Sequence, residues 1–143
     1  MREILFRGKR LDNGGWIEGD LRQYPSGAVA IRSDKIHSTI KVDPATVGQY
    51  TGLKDKNGLR IFEGDILQII GYGELIDHCV VGYGFHKSFG YNTETVGFFL
   101  YWKNDEHQSN KYSNLPYWLE IREAVCVGNI HDNPDLIEGS ESK

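Results

Sequence analysis

Short stretches of alternating apolar and polar residues run through most of this 143-residue chain, broken every few positions by Gly, Asn or Asp. A period of two sends successive side chains to opposite faces, so such stretches predict half-buried β-strands. Two of them share a phrase. Asn13-Gly14-Gly15-Trp16-Ile17-Glu18-Gly19-Asp20-Leu21 and Asn57-Gly58-Leu59-Arg60-Ile61-Phe62-Glu63-Gly64-Asp65-Ile66 both place Asn-Gly before a β-prone run that ends in Glu-Gly-Asp-aliphatic. Asn-Gly is a strong hairpin signal, because a type I′ turn needs positive φ at both central residues.

With Asn13 and Gly14 at the centre of such a turn, counting outward predicts Leu11 opposite Trp16, Lys9 opposite Glu18, Gly8 opposite Gly19, Arg7 opposite Asp20 and Phe6 opposite Leu21. Phe6, Ile17 and Leu21 then share an apolar face, and the Arg7/Asp20 and Lys9/Glu18 pairs share a wet one. The same count around Asn57-Gly58 predicts Asp55 opposite Arg60, Leu53 opposite Phe62 and Tyr50 opposite Asp65.

Further strands are expected at Val29–Ile31, Thr39–Val42 (ended by Asp43-Pro44), Ile66–Ile70, Val96–Trp102 and Ala124–Val127. Ile66–Ile70 has the length of a core strand and is too short for a helix. Gly71-Tyr72-Gly73 and Gly82-Tyr83-Gly84 bracket Cys79-Val80-Val81, which predicts tight bends or bulges at both triplets. Residues 104–114 are polar and read as an exposed mobile loop. Asn133-Pro134 is an N-cap followed by Pro at the first helical position, predicting a helical turn over Asp135–Glu138, with 139–143 as a disordered tail.

Composition supports a β-rich chain large enough for a real core. Three Trp, eight Tyr, six Phe and 17 Gly accompany a single Met. The 20 acidic and 16 basic residues give a formal charge of −4, with no cluster of Lys and Arg, so general attraction to phosphate backbones is not expected. Cys79 and Cys126 sit among apolar neighbours, as buried reduced thiols would, which points to a reducing compartment. The amino-terminal Met1-Arg2-Glu3-Ile4-Leu5-Phe6-Arg7 turns charged early, and no run approaches the roughly 20 apolar residues that span a bilayer, so neither export nor membrane insertion is expected.

Phe6-Arg7-Gly8-Lys9-Arg10, Asn13-Gly14 with Trp16 and Gly19, the block Val47-Gly48-Gln49-Tyr50-Thr51-Gly52-Leu53-Lys54-Asp55-Lys56-Asn57-Gly58, Ile61-Phe62-Glu63-Gly64-Asp65-Ile66, and Val127-Gly128-Asn129-Ile130-His131-Asp132-Asn133-Pro134-Asp135-Leu136 together resemble the YopX family of phage and prophage proteins. The likeness runs from end to end of the chain and carries little signal in 22–46 and 71–118. Leu59 and Gly15 depart from the family pattern, both at hairpin tips. The resemblance implies a mainly β protein: a β-rich region over 1–48, an SH3-like barrel over 49–138 and a phage or prophage origin. It implies no activity. The motif residues Asn13, Gly14, Trp16, Gly19, Gln49, Tyr50, Thr51, Gly52, Leu53, Asp55, Asn57, Gly58, Glu63, Gly64, Asp65, Gly128, Asn129 and Pro134 are expected to be structural.

No catalytic constellation is legible. Glu18/Asp20 and Glu63/Asp65 are read as paired carboxylates projecting to opposite sides of their strands, poor geometry for one site. His37, His78, His86, His107 and His131 lack metal-ligand spacing, so no metal is expected. Gly82-Tyr83-Gly84 has Lys87 where a dinucleotide fingerprint needs Gly, and no cofactor is expected. Tyr83, Phe85, Phe89, Tyr91, Phe98, Phe99, Tyr101 and Trp102 are expected to serve packing and an interface between copies, with base stacking the lesser reading. The expectation is a non-enzymatic accessory protein of the bacterial cytoplasm that binds a phage or host protein and acts as a homo-oligomer. A single-strand nucleic-acid binder and an enzyme with a site between subunits are the alternatives.

Overall fold

A computed structural model describes residues 2–87, 94–103 and 112–138. The chain divides into two compact units, Met1–Gly52 and Leu53–Lys143. Strands dominate both, and the pairings within each are antiparallel. Neither sheet is closed.

In the first unit, β1 (Phe6–Lys9), β2 (Trp16–Gln23), β3 (Val29–Ser33), β4 (Ser38–Val42) and β5 (Gly48–Lys54) lie in the order β4-β3-β2-β1-β5. Asp43 caps a 3-10 turn at Pro44–Thr46, so Asp43-Pro44 does end β4. A single bridge joins Arg10 to Val42. Ile17, Ile31 and Val42 are buried together, with Phe6 and Leu21 packed against them, so the apolar face expected of the first hairpin is the inner face.

The register of that hairpin differs from expectation by two residues: Phe6 faces Gly19, Arg7 faces Glu18, Gly8 faces Ile17 and Lys9 faces Trp16. Asn13-Gly14 is not a two-residue turn. The Arg10 amide donates to Gly15 O and the Gly14 amide donates to Arg10 O, closing a wider loop with Gly14 at φ 73°. Asn13 Oδ1 accepts from the Gly15 amide at 2.8 Å, and Arg10 and Asp12 form an ion pair of 2.7 Å inside the loop. These local bonds stabilise the longer tip. A slip of two preserves which face each side chain takes and changes only the partners, so the expected Arg7/Asp20 and Lys9/Glu18 pairs are replaced.

The second unit contains β6 (Arg60–Phe62), β7 (Asp65–Gly71), β8 (Glu74–His86), β9 (Thr95–Trp102), β10 (Tyr112–Asn114), α1 (Leu115–Ile121), β11 (Glu123–Asn129) and α2 (Asp135–Glu138). Its five-stranded sheet runs β10-β9-β8-β7-β11. Ile61, Leu67, Ile69, Cys79, Val81, Leu100, Trp102 and Leu115 form the core. Both cysteines are free thiols; Cys79 is buried and Cys126 only half so.

Several expectations are corrected here. At the Asn57-Gly58 tip, the Asp55 amide donates to Leu59 O, so Asp55 pairs with Leu59 and not Arg60. Gly58 stands at φ 84° as the last residue of a three-residue loop. The two-residue turn with positive φ at both positions is Tyr72-Gly73 (53° and 81°), between the paired Gly71 and Glu74. Gly82-Tyr83-Gly84 lies inside β8 with unbroken register to β9; the irregularity falls earlier, opposite Ile69 and Ile70. Residues 112–114 are strand, with Ser113 buried, whereas 104–111 and the 139–143 tail lie outside the described residues. Helix α1 was not foreseen. Asn114 caps it by accepting from the Tyr117 amide, with Pro116 in its first turn. The turn over Asp135–Glu138 is helical as expected.

Candidate functional site

The motif residues divide between the two units. In the first, a side chain on Gly19 would collide with the Arg32 carbonyl oxygen, so only glycine lets β2 and β3 approach there. Trp16 lies under two cations: the Arg7 guanidinium is 4.7 Å from its ring centroid and Lys9 Nζ is 5.8 Å away. Tyr50 is buried and its amide donates to Leu5 O at 2.8 Å. Glu18 and Asp20 are both exposed on β2. Being two positions apart, they share one face, which corrects the expectation of opposite sides.

In the second unit the motif builds a polar corner. Asp55 is only 7% exposed; its Oδ1 accepts from the Asn57 and Leu59 amides, and its Oδ2 accepts from the Cys126 amide, each at 2.9 Å. Asp65, 2% exposed, accepts from the Phe62 amide at 2.8 Å. Gly64, at φ 88°, donates to Val81 O and accepts from the Ile130 amide. Asn129 Oδ1 accepts from the His131 and Asp132 amides, while Asn133 Oδ1 accepts from the Asn129 amide in space that a Gly128 side chain would fill. Pro134 follows and leads into α2. These polar atoms are engaged by the chain's own amides, and the arrangement holds strands in place.

Glu63 is half-buried in the turn before β7, while Asp65 points inward. Among the described residues, no three His, Cys, Asp or Glu side chains come together as a metal-binding group. The histidines differ in setting. His78 Nε2 accepts from the Gln68 side-chain amide at 3.4 Å; burial, reinforced by Lys103 and opposed by Asp77, holds its pKa below the ordinary 6.5. His86 is buried, with Nδ1 3.1 Å from Gly84 O, which can only accept, so Nδ1 carries the proton. Burial, with Asp77 adding to it, pushes the Cys79 thiol far up, and it is not a nucleophile.

The remaining candidate is the aromatic surface of β8 and β9. Cys79 and Val81 pair with Trp102 and Leu100 in the core. The same side of the sheet continues outward as Tyr83 with Phe98 and Phe85 with Val96. Here the cover ends: Tyr83 is 55% exposed, Phe85 75% and Val96 53%. Tyr83 and Phe98 meet edge-on at 5.0 Å. On the opposite side, Phe99 lies where a Gly82 side chain would be, 2.6 Å from that position, and Phe99 and Tyr101 each meet Tyr112 edge-on at 5.1 Å. Trp102 belongs to the core, its indole N–H donating to Ser113 Oγ at 2.8 Å. Phe89 and Tyr91 lie outside the described residues. Tyr112 was missed within a polar run that offers no strand signal, while Trp118 of α1 could have been found from the Asn114-Leu115-Pro116 cap.

The family described as YopX protein matches residues 5–138. No curated protein matches the chain. Among solved structures, the crystal structure of protein EF1440 from Enterococcus faecalis is similar with a TM-score of 0.51 and 22% identity, over 96% of this chain and 99% of that one. That likeness concerns the fold. No helix among the described residues is long and apolar enough to cross a membrane.

Proposed function

This chain belongs to the YopX family, and on that premise we propose that it is a non-enzymatic phage or prophage accessory protein that acts by binding protein, as a homo-oligomer, in the bacterial cytoplasm. Its second unit is then a variant of the SH3-like barrel that presents aromatic strands. One observation carries the reading: the core-facing row of β8 and β9 runs on past the core as Tyr83, Phe85 and Val96, which are more than half exposed. Contiguous apolar surface that a chain leaves uncovered marks an interaction site.

The ring geometry favours this over a nucleic-acid platform. Phe99 and Tyr101 each pack edge-on against Tyr112, and Trp16 is covered by Arg7 and Lys9, so the exposed rings of this surface are Tyr83 and Phe85, which stand among apolar neighbours and not among cations. The formal charge of −4 also opposes a phosphate backbone.

Sedimentation velocity across a wide concentration range tests the oligomer, with a rising sedimentation coefficient expected. A monomer throughout would remove that part of the reading. Fluorescence anisotropy with labelled oligonucleotides at low salt should be flat; a salt-dependent rise would replace protein binding with the nucleic-acid alternative.

A further inference from the structure

The part of β8 beyond Val81, which among the described residues pairs with β9 alone, adds a directional feature to the exposed rings. In an antiparallel ladder, alternate residues send their N–H and C=O groups to opposite neighbours. His78 O accepts from Lys103 after β9, whereas Val81 O accepts from Gly64 on the other side. By that alternation Tyr83 and Phe85 also present their backbone groups away from β9. Pairing of β7 with β8 stops at Ile66 and Val80. Beyond Val81, no strand among the described residues covers that edge.

Resting on the homo-oligomer reading above, we infer that this edge is the self-association site: β8 pairs antiparallel with β8 of a second copy about a two-fold axis at Gly84, setting Tyr83 of each copy opposite Phe85 of the other. This register gives partners on both copies to the backbone groups of both residues that no strand among the described residues pairs. Centring on Tyr83 instead would place Phe85 opposite Val81, whose carbonyl already accepts from Gly64. The two-fold arrangement needs only one kind of edge, as isologous contacts do.

Charge and area set the character of this contact. Each chain carries −4 overall, yet Val81–His86 contains no carboxylate, so the segment itself brings no negative charge to the contact. An open strand of this kind usually carries a protective Lys or Pro; Gly82–His86 has neither, and Lys87 follows at its end. The four rings bury on the order of 600 Å², below the roughly 1,200 Å² of a stable interface. The dimer is therefore weak, reversible and strengthened by salt, which screens like charges.

The test is sedimentation velocity of the full chain, wild type beside Phe85→Lys and Leu75→Lys, with circular dichroism to confirm folding. Leu75 is also exposed on β8, but lies at the far end of the strand. Wild type and Leu75→Lys should shift toward dimer as concentration and salt rise, while Phe85→Lys should stay at the monomer value. Amide exchange by NMR should slow with concentration at Tyr83 and Phe85. Association that persists in Phe85→Lys, or exchange at Tyr83 and Phe85 that does not respond to concentration, would overturn the edge and leave the oligomer intact. A wild type that remains monomeric would overturn both.

Discussion

The Asp55 carboxylate and the Cys126 amide are 71 residues apart in the chain and joined by a hydrogen bond of 2.9 Å. Through it the tip that follows β5 is fastened to β11. The neighbouring Lys56 amide donates to Ala124 O, and Lys56 Nζ meets Glu123 at 2.9 Å, so backbone and side-chain bonds reinforce the junction. The exposed ion pair contributes little by itself; Asp55, buried and accepting from three amides, contributes more.

Asp55→Ala should therefore lower stability by about 3 kcal/mol, because it leaves those amides without their acceptor. Asp55→Asn should cost about half as much, since one oxygen remains while an NH₂ group turns toward a donor. Urea denaturation measures both as a fall in midpoint at unchanged slope.

Gly19→Ala should be more damaging than Gly14→Ala. At Gly19 the added carbon meets the Arg32 carbonyl oxygen, a backbone atom of the paired strand that cannot move aside alone. At Gly14 there is open space and only the cost of φ 73°, about 1 kcal/mol. Thermal unfolding should show a modest loss for Gly14→Ala and a loss of more than about 3 kcal/mol for Gly19→Ala.

Gly128 and Asn133 should behave as a coupled pair. Gly128→Ala pushes the Asn133 side chain out of its place, and Asn133→Ala removes the acceptor for the Asn129 amide. Since either change sacrifices that bond, the double variant should be less destabilised than the sum of the singles by about 1 kcal/mol. Strict additivity in a double-mutant cycle would contradict this.

His78 should make stability depend on pH. Its folded pKa lies below the ordinary 6.5, chiefly through burial, so the unfolded chain takes up this proton at the higher pH. The contribution is complete above about 6.5 and is lost as pH falls from there through the depressed folded value. His78→Gln should flatten that decline, seen as a smaller change of urea midpoint between neutral and mildly acidic pH. Protonation would also forfeit the bond that Nε2 accepts from Gln68.

The pattern of residues located most of these elements. Val29–Ile31, Thr39–Val42, Ile66–Ile70, Val96–Trp102 and Ala124–Val127 all fall within strands, and Asn133-Pro134 does open a helical turn. The less legible parts depend on partners distant in the chain. Asp55 reads as half of an Asp55/Arg60 pair, and its real use needs Cys126. Gly82 reads as a bend, and its real use is to seat the Phe99 ring of the next strand. Helix α1 is short enough that its capping signal passed for loop.

What the amino-acid order determined by itself was the side each residue takes, because alternation along a strand is local: Phe6, Ile17 and Leu21 point inward whether or not the hairpin slips by two. The register became visible only in the structure, where local bonds widen the loop between Arg10 and Gly15 and the distant Lys41–Asp43 segment bonds to Lys9 and Leu11 beside it. Tertiary structure decided where the apolar row of β8 outruns its cover. Periodicity needs only neighbours in sequence, whereas pairing and burial depend on which distant strands arrive alongside.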